Sequence, residues 1–318
     1  MLHTDICDLF GIEVPIVLAG MGGVAMADLV AAVSNGGGLG VIGAAMLDPE
    51  GLRREIRKTR ALTDKPFAVD LLAPIPEQIR PHMRVVFEEK IRIFVAGLAV
   101  PGPFIAEMHE QGMKVVVMCG RVRHALKAAE AGADCVAAQG TEAGGHTGEI
   151  GTLALVPQVV DAVDVPVLAA GGIADGRGVA AALALGAKGV IVGTRFIASH
   201  EAAAAPSYRR ALVQGNDDST VRTRCYTGKP ARAIRNAYNA EWENHPADIQ
   251  PYPFQVMESA QRGVLDYTGS TGDADPERTF MPAGQALGLI HDVRSATAIL
   301  ADLVRESGDA IQSLQRLG

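Results

Sequence analysis

The densest chemistry in the chain lies in one short stretch, Gln139-Gly140-Thr141-Glu142-Ala143-Gly144-Gly145-His146-Thr147-Gly148-Glu149. It combines four glycines, one imidazole and two carboxylates. A histidine in such a loop donates a hydrogen bond to a developing anion or exchanges a proton near neutral pH, which makes His146 the candidate catalytic residue. Glu142 and His146 are four residues apart, but the glycines between them argue against a helix, so the spacing implies neither a shared face nor a metal site. No serine sits in a Gly-x-Ser-x-Gly elbow and no thiol falls in this loop, so a protein nucleophile is not expected. Two further segments, Ala170-Gly171-Gly172-Ile173-Ala174-Asp175-Gly176 and Val192-Gly193-Thr194-Arg195-Phe196, have the composition of a phosphate cradle. Glycine turns with positive φ and lets the backbone approach a ligand closely, so N–H groups converge on phosphate oxygens with help from a following helix N-terminus. The same glycines would also serve plain tight turns. With no nucleophile and no metal set, a phosphate-bearing organic cofactor is the expected carrier of the chemistry.

The elements that must position these residues follow from the alternation of short β-branched runs with helix-period segments. The expected strands are Pro15–Leu18, Leu39–Ile42, Phe67–Leu71, Ile91–Val95, Lys114–Met118, Cys135–Ala138, Val167–Ala170 and Gly189–Val192. Helices are expected at Met26–Ser34, Pro49–Leu62, Arg121–Ala131 and Arg177–Leu185. Eight repeats fit a (β/α)8 TIM barrel of the α/β class better than a doubly wound sheet. Barrel sites are built at the C-terminal ends of the strands, and phosphate binds after strands seven and eight, where the two short glycine segments fall. The expected organisation is a barrel over residues 1–213, an inserted polar cap over 214–280 and C-terminal helices over 281–318 that pack back on the barrel.

The 318 residues are 48% hydrophobic and 20% charged with a net charge of −7, which excludes disorder, a membrane bundle and the broad basic footprint of a nucleic-acid binder. The uncharged stretch from Leu29 to Leu47 is broken by Ser34-Asn35-Gly36-Gly37-Gly38, so no membrane span is expected. The first residues, Met1-Leu2-His3-Thr4-Asp5, carry an acid where a secretory signal has positive charge, and a cytoplasmic location is expected. Cys7, Cys119, Cys135 and Cys225 are far apart and are read as reduced, buried thiols.

Taken together, the chain resembles the nitronate monooxygenase family, formerly 2-nitropropane dioxygenases, which includes flavin-dependent enoyl-ACP reductases and NADH:quinone reductases. The resemblance spans nearly the whole chain. It rests on Ala19-Gly20-Met21, Ser34-Asn35-Gly36-Gly37-Gly38-Leu39-Gly40, Glu142-Ala143-Gly144-Gly145-His146-Thr147-Gly148, the two short glycine segments and Ala283-Gly284-Gln285. It implies an FMN-binding barrel under a smaller cap, with phosphate on Gly171, Gly172, Gly193 and Thr194. Gly20, Met21, Gln139, Gly144, Gly145 and Gln285 would line the isoalloxazine and ribityl chain, with His146 near the reactive face of the flavin. Two positions depart from the pattern. Asp70 stands where many relatives carry Asn, altering a flavin contact or substrate recognition, and Met118 stands where the quinone-reductase-like relatives carry Lys.

The implied function is an FMN-dependent oxidoreductase that oxidises alkyl nitronates with O2. The alternative is NAD(P)H-dependent reduction, or dehydrogenation, of enoyl or cyclic CoA or ACP thioesters or of quinones. Charges from Thr227 through Lys229 and Arg232 to Arg235 are read either as a basic mouth for a CoA-like substrate or as solvated surface. Tyr226, Tyr238, Trp242 and Tyr252 either stack on a fused-ring substrate or pack within the cap. A flavin-free Schiff-base barrel needs a lysine at a strand end, whereas Lys65 and Lys114 fall at strand starts. Partners are confined to small molecules, with monomer and homodimer both left open.

Overall fold

The computed structural model describes residues 2–72, 76–270 and 272–316. Eight parallel strands form the frame: β1 (Ile16–Leu18), β2 (Gly40–Gly43), β3 (Phe67–Leu72), β4 (Ile93–Gly97), β5 (Lys114–Cys119), β6 (Cys135–Gln139), β8 (Val167–Ala170) and β9 (Gly189–Val192). β7 (Gly145–His146) lies between β6 and β8 and belongs to a different sheet. The frame runs in the order β1-β9-β8-β6-β5-β4-β3-β2. The ring is drawn closed just ahead of β2, where Leu39 bridges Val17 and accepts from the Leu18 N–H at 2.9 Å. This is the expected (β/α)8 barrel, and the eight expected strands differ from the observed ones only by a residue or two at their ends.

Strand residues alternate between two cores, as a period of two requires. Val17, Val41, Ala68, Val95, Val116, Ala137, Leu168 and Ile191 fill the barrel, whose floor is plugged by Ile6, Cys7 and Phe10 of α1 (Asp5–Phe10). Their neighbours Ile16, Ile42, Val69, Phe94, Val117, Val136, Ala169 and Val190 face outward and bury the helices. Those helices are α2 (Ala27–Asn35), α3 (Pro49–Leu62), α4 (Pro76–Glu88), α5 (Gly102–Glu110), α6 (Val122–Glu130), α7 (Thr152–Val160) and α8 (Gly176–Ala184). Pro49 follows the N-cap Asp48, whose side chain accepts from the Gly51 N–H at 2.6 Å, which is why α3 starts where the sequence indicates.

Beyond β9 come α9 (Thr194–Ile197), α10 (Pro206–Gln214), β10 (Thr220–Thr223), β11 (Ala231–Ile234), α11 (Ala237–Glu243), α12 (Phe254–Gln261) and α13 (Ala296–Gln315). β10 and β11 were not expected, although Thr220-Val221-Arg222-Thr223 is a short β-branched run. A third core of Cys225, Tyr226, Tyr238, Trp242, Val264 and Phe280 holds this region together. The Tyr226 ring stacks on Phe280 at 4.6 Å and on Tyr238 at 5.3 Å, so these rings pack within the cap rather than on a ligand. The long α13 returns to pack on α8 and α2. All four cysteines are free and buried. Among the described residues no helix is long and apolar enough to cross a membrane.

One interior position breaks the apolar rule. Two residues beyond Ala68 on β3, the carboxyl of Asp70 sits at the C-terminal end of the barrel, only 7% exposed. Burial raises its pKa from 3.8 to about 8, and no neighbouring charge contributes. The folded chain therefore holds this proton more tightly than the unfolded one. The resulting stabilisation is complete below about pH 4 and is lost as the pH rises to about 8. Asp70→Asn is expected to raise the melting temperature by several degrees at pH 8.5 and by less than about one degree at pH 4. Thermal unfolding of the two proteins across that range checks it, and equal shifts at both ends would refute it.

Candidate active site

The loops after β1, β6, β8 and β9 converge with the C-terminal end of β3 at one end of the barrel, and the segment around Gly284 closes over them. Gly20 lies flat against Asp70: a methyl group there would come within 2.2 Å of the Asp70 Cβ. The same construction on Gly193 falls 3.2 Å from the Ala19 Cβ and 3.6 Å from the Met21 sulfur, which joins the β1 and β9 loops. Thr194 Oγ1 accepts from the Gly284 N–H at 2.9 Å, and a methyl on Gly144 would meet the Ala283 carbonyl carbon at 2.8 Å. The Gln285 N–H donates to Glu142 O at 2.9 Å. Gly171 turns with φ +97° and Gly172 with φ +75°, conformations that carry strain for any other residue.

These turns leave donors free. Among the described residues the N–H groups of Gly172 and Thr194 meet no protein acceptor. The help expected from the helix after Gly172 is not available. Asp175 caps α8 itself, accepting from the Arg177 and Gly178 N–H groups at 3.0 and 3.2 Å. Arg195 is equally committed, its guanidinium donating to the Asp292 carboxylate at 2.6 Å and carbonyl at 2.9 Å. What these two segments expose is backbone, not side-chain cations. A cleft of about 760 Å³ opens beside them, lined by Gly171, Gly172, Gln285, Glu142 and Thr152 and running out over Ile173 and Leu185.

The β6 loop was expected to be irregular; the structure makes part of it a strand. β7 pairs antiparallel with β11, His146 opposite Ala231 and Gly145 opposite Arg232, and β10 completes a three-stranded sheet. Gln139, the last residue of β6, donates from Nε2 to His146 O at 2.9 Å. His146 Nε2 lies 3.0 Å from Thr227 Oγ1. Burial, and secondly the charge of Lys229, press the imidazole pKa down to about 4, so His146 is neutral at pH 7. Glu142 is used structurally, accepting from the Thr152 N–H at 2.9 Å and hydroxyl at 2.8 Å.

The cap cations divide between the two readings: Arg232 is buried, whereas Arg235 lies on the solvated face. Arg232 is buried and donates to Thr141 O at 3.0 Å, holding the β6 loop from above. Lys229 Nζ lies over the Tyr252 ring at 4.6 Å, and Arg235 donates to Asp218 O at 3.0 Å. Met118 is half-buried against the interior cluster at the same end as Asp70 and Gln139. Asp70 and Gln139 stand three strands apart around the ring, so they border the mouth from separate sides. Sequence reasoning missed Thr227 and Tyr267. The Tyr267 hydroxyl donates to Gly22 O at 2.8 Å and so ties the cap to the β1 loop. Only the clustering of tyrosines in the cap hinted at such a contact.

The profile of the family described as nitronate monooxygenase matches residues 3–84 and 78–306. A Rhodococcus jostii protein named (3aS,4S,5R,7aS)-5-hydroxy-7a-methyl-1-oxo-octahydro-1H-indene-4-carboxyl-CoA dehydrogenase is 43% identical, over 100% of this chain and 98% of its own length. A probable nitronate monooxygenase of Staphylococcus saprophyticus is 34% identical over 97% of this chain and 98% of that protein. The solved structure of FabK from Thermotoga maritima superposes with a TM-score of 0.92 at 37% identity, covering 100% of both chains. The chain belongs to the nitronate monooxygenase family.

Proposed function

We propose that this flavin-dependent oxidoreductase binds FMN and oxidises alkyl nitronates, or the nitroalkanes that give rise to them, with O2 as acceptor. The observation that carries the reading is the placement of His146, a neutral imidazole fixed between the barrel mouth and the cap. The free N–H groups of Gly172 and Thr194 fit a phosphate, and with Gly171 and Gly193 they would hold that end of FMN. Gly20, Met21, Asp70, Gln139, Gly144, Gly145 and Gln285 would border the ring system and ribityl chain. When bound, the flavin supplies two-electron chemistry between a carbon substrate and an acceptor. The chain's own part is acid–base work. His146 takes the proton from a carbon next to an electron-withdrawing group, and the Lys229 charge works against the imidazolium so formed, which speeds its return of the proton.

A second reading keeps this chemistry and changes the substrate to a CoA thioester, whose α-carbon is also a carbon acid. The identity of 43% to a named acyl-CoA dehydrogenase favours it. NADH and NADPH remain candidate electron donors for the reductive variant of that reaction. Anaerobic mixing with propyl-2-nitronate, NADH, NADPH and a cyclic CoA thioester, following the flavin absorbance, separates these readings. Bleaching by the nitronate and not by the nucleotides is expected. Bleaching by the thioester alone would move the assignment to the second reading, and bleaching by a nucleotide alone to a reductase.

His146→Asn is expected to slow flavin reduction by a neutral nitroalkane, which must lose its α-proton, about 10²- to 10⁴-fold while flavin content is retained, and to leave reduction by propyl-2-nitronate, whose reacting carbon carries no proton, little changed. An unaltered rate with the nitroalkane would remove His146 from the chemistry. Gly171→Ala places a methyl 3.0 Å from the Ala143 N in a backbone held at φ +97°. It is expected to lower the FMN content of the purified protein without loss of its circular dichroism signal, and full flavin occupancy would refute the cradle.

A further inference from the structure

The hydrogen bonds around His146 determine more than its position. Thr227 Oγ1 carries one proton and has three polar neighbours: the Lys229 carbonyl at 3.1 Å, the Lys229 N–H at 3.3 Å and His146 Nε2 at 3.0 Å. The hydroxyl donates to the Lys229 carbonyl while its oxygen accepts from the Lys229 N–H, which leaves that oxygen an acceptor toward the ring. A neutral imidazole facing that oxygen must donate from Nε2 and keep Nδ1 bare. Nδ1 has no partner among the described residues, yet it is not sealed in protein. Among the described residues the enclosed side-chain polar atoms without partners are His82 Nδ1, Arg209 Nε and Tyr238 Oη, and His146 Nδ1 is not one of them. The main chain of His146 is meanwhile fixed by its pairing with Ala231, by Gln139, and by Thr147 N–H donating to Pro230 O at 3.2 Å.

We propose that Thr227 is a positioning residue that locks His146 in the Nε2–H tautomer and so presents a bare Nδ1 to the substrate. The inference rests on the base role proposed for His146. It makes that base dependent on the cap, because Thr227 lies in the β10–β11 connection and not in the barrel. Lys229 is the charged group that acts on the ring, and no carboxylate contributes. Nothing nearby therefore holds a second proton on the imidazole as the pH falls toward neutrality. The arrangement differs from one in which a carboxylate orients the ring and stabilises the imidazolium.

The test uses the flavin-loaded protein with ¹⁵N-labelled histidine, the His146 signals being identified by their loss in His146→Asn. Long-range ¹H–¹⁵N spectra at pH 7 are expected to show a protonated Nε2 and a bare Nδ1. Thr227→Ser keeps the acceptor and is expected to preserve both the tautomer and the rate. Thr227→Val keeps the shape and removes the acceptor. It is expected to mix the tautomers and slow flavin reduction by the nitroalkane about tenfold at unchanged flavin content. A protonated Nδ1 in the unmodified protein, or an unchanged tautomer in Thr227→Val, overturns the inference and leaves the base role of His146 standing. An unaltered rate with the nitroalkane in His146→Asn instead overturns the base role, and with it the positioning role of Thr227.

Discussion

The site depends on one pairing of two residues. Gly145 and His146 leave the barrel loop and join the cap sheet opposite Arg232 and Ala231, so one piece of backbone belongs to both parts of the molecule. A long glycine-rich loop carries a large conformational entropy cost of ordering, and a histidine on it would be poorly placed for proton transfer. The antiparallel pairing removes that freedom at the residue that needs it. Arg232, buried and bonded to Thr141 O, reinforces the same contact from the other side. The cap is thereby part of the geometry that the proposed base depends on and not only a cover over it.

What the sequence made legible was whatever is written in local period and composition. Eight β-branched runs gave the barrel because alternating burial inside and outside the sheet demands apolar residues at nearly every strand position. The glycine pairs marked the strand ends at the ligand side, because only glycine takes positive φ readily where the chain must turn back on itself. β7 was not legible. A strand of two residues has no period of its own, and its partner β11 lies more than 80 positions further along. The N-terminus of α8 misled for a related reason: Asp175 reads as a loop residue, but its side chain supplies the acceptor that was expected to come from a ligand. The basic run from Lys229 to Arg235 could not be sorted by composition either. A guanidinium that holds a loop carbonyl and one that faces solvent look alike in sequence.

The cap aromatics show how a site can carry little specificity of its own despite its rich composition. Tyr226, Tyr238, Trp242 and Phe280 are committed to one another, because a small three-stranded sheet without its own large core needs big apolar side chains to be stable. Tyr267 is committed in the same way, its ring edge-on to Phe280 and to Tyr208 at 6.3 Å and its hydroxyl bonded to Gly22 O.

Asp70 illustrates the same economy in reverse. Beside the Asn that the family resemblance implies here, an ionised aspartate would be a radical change at the mouth of a barrel, placing a full charge where no cation answers it. The buried carboxyl instead keeps its proton up to about pH 8. A protonated carboxyl offers one O–H donor and one carbonyl acceptor in the same plane and at nearly the same reach as an amide. At neutral pH the departure from the family pattern is thus a conservative one in hydrogen-bonding terms, and it becomes a change of charge only under alkaline conditions. The glycines packed against it, Gly20 and Gly97, explain why the group is not simply hydrated. They let neighbouring backbone close over the side chain, and it is this close approach, more than any partner, that decides which form of the acid the folded protein holds.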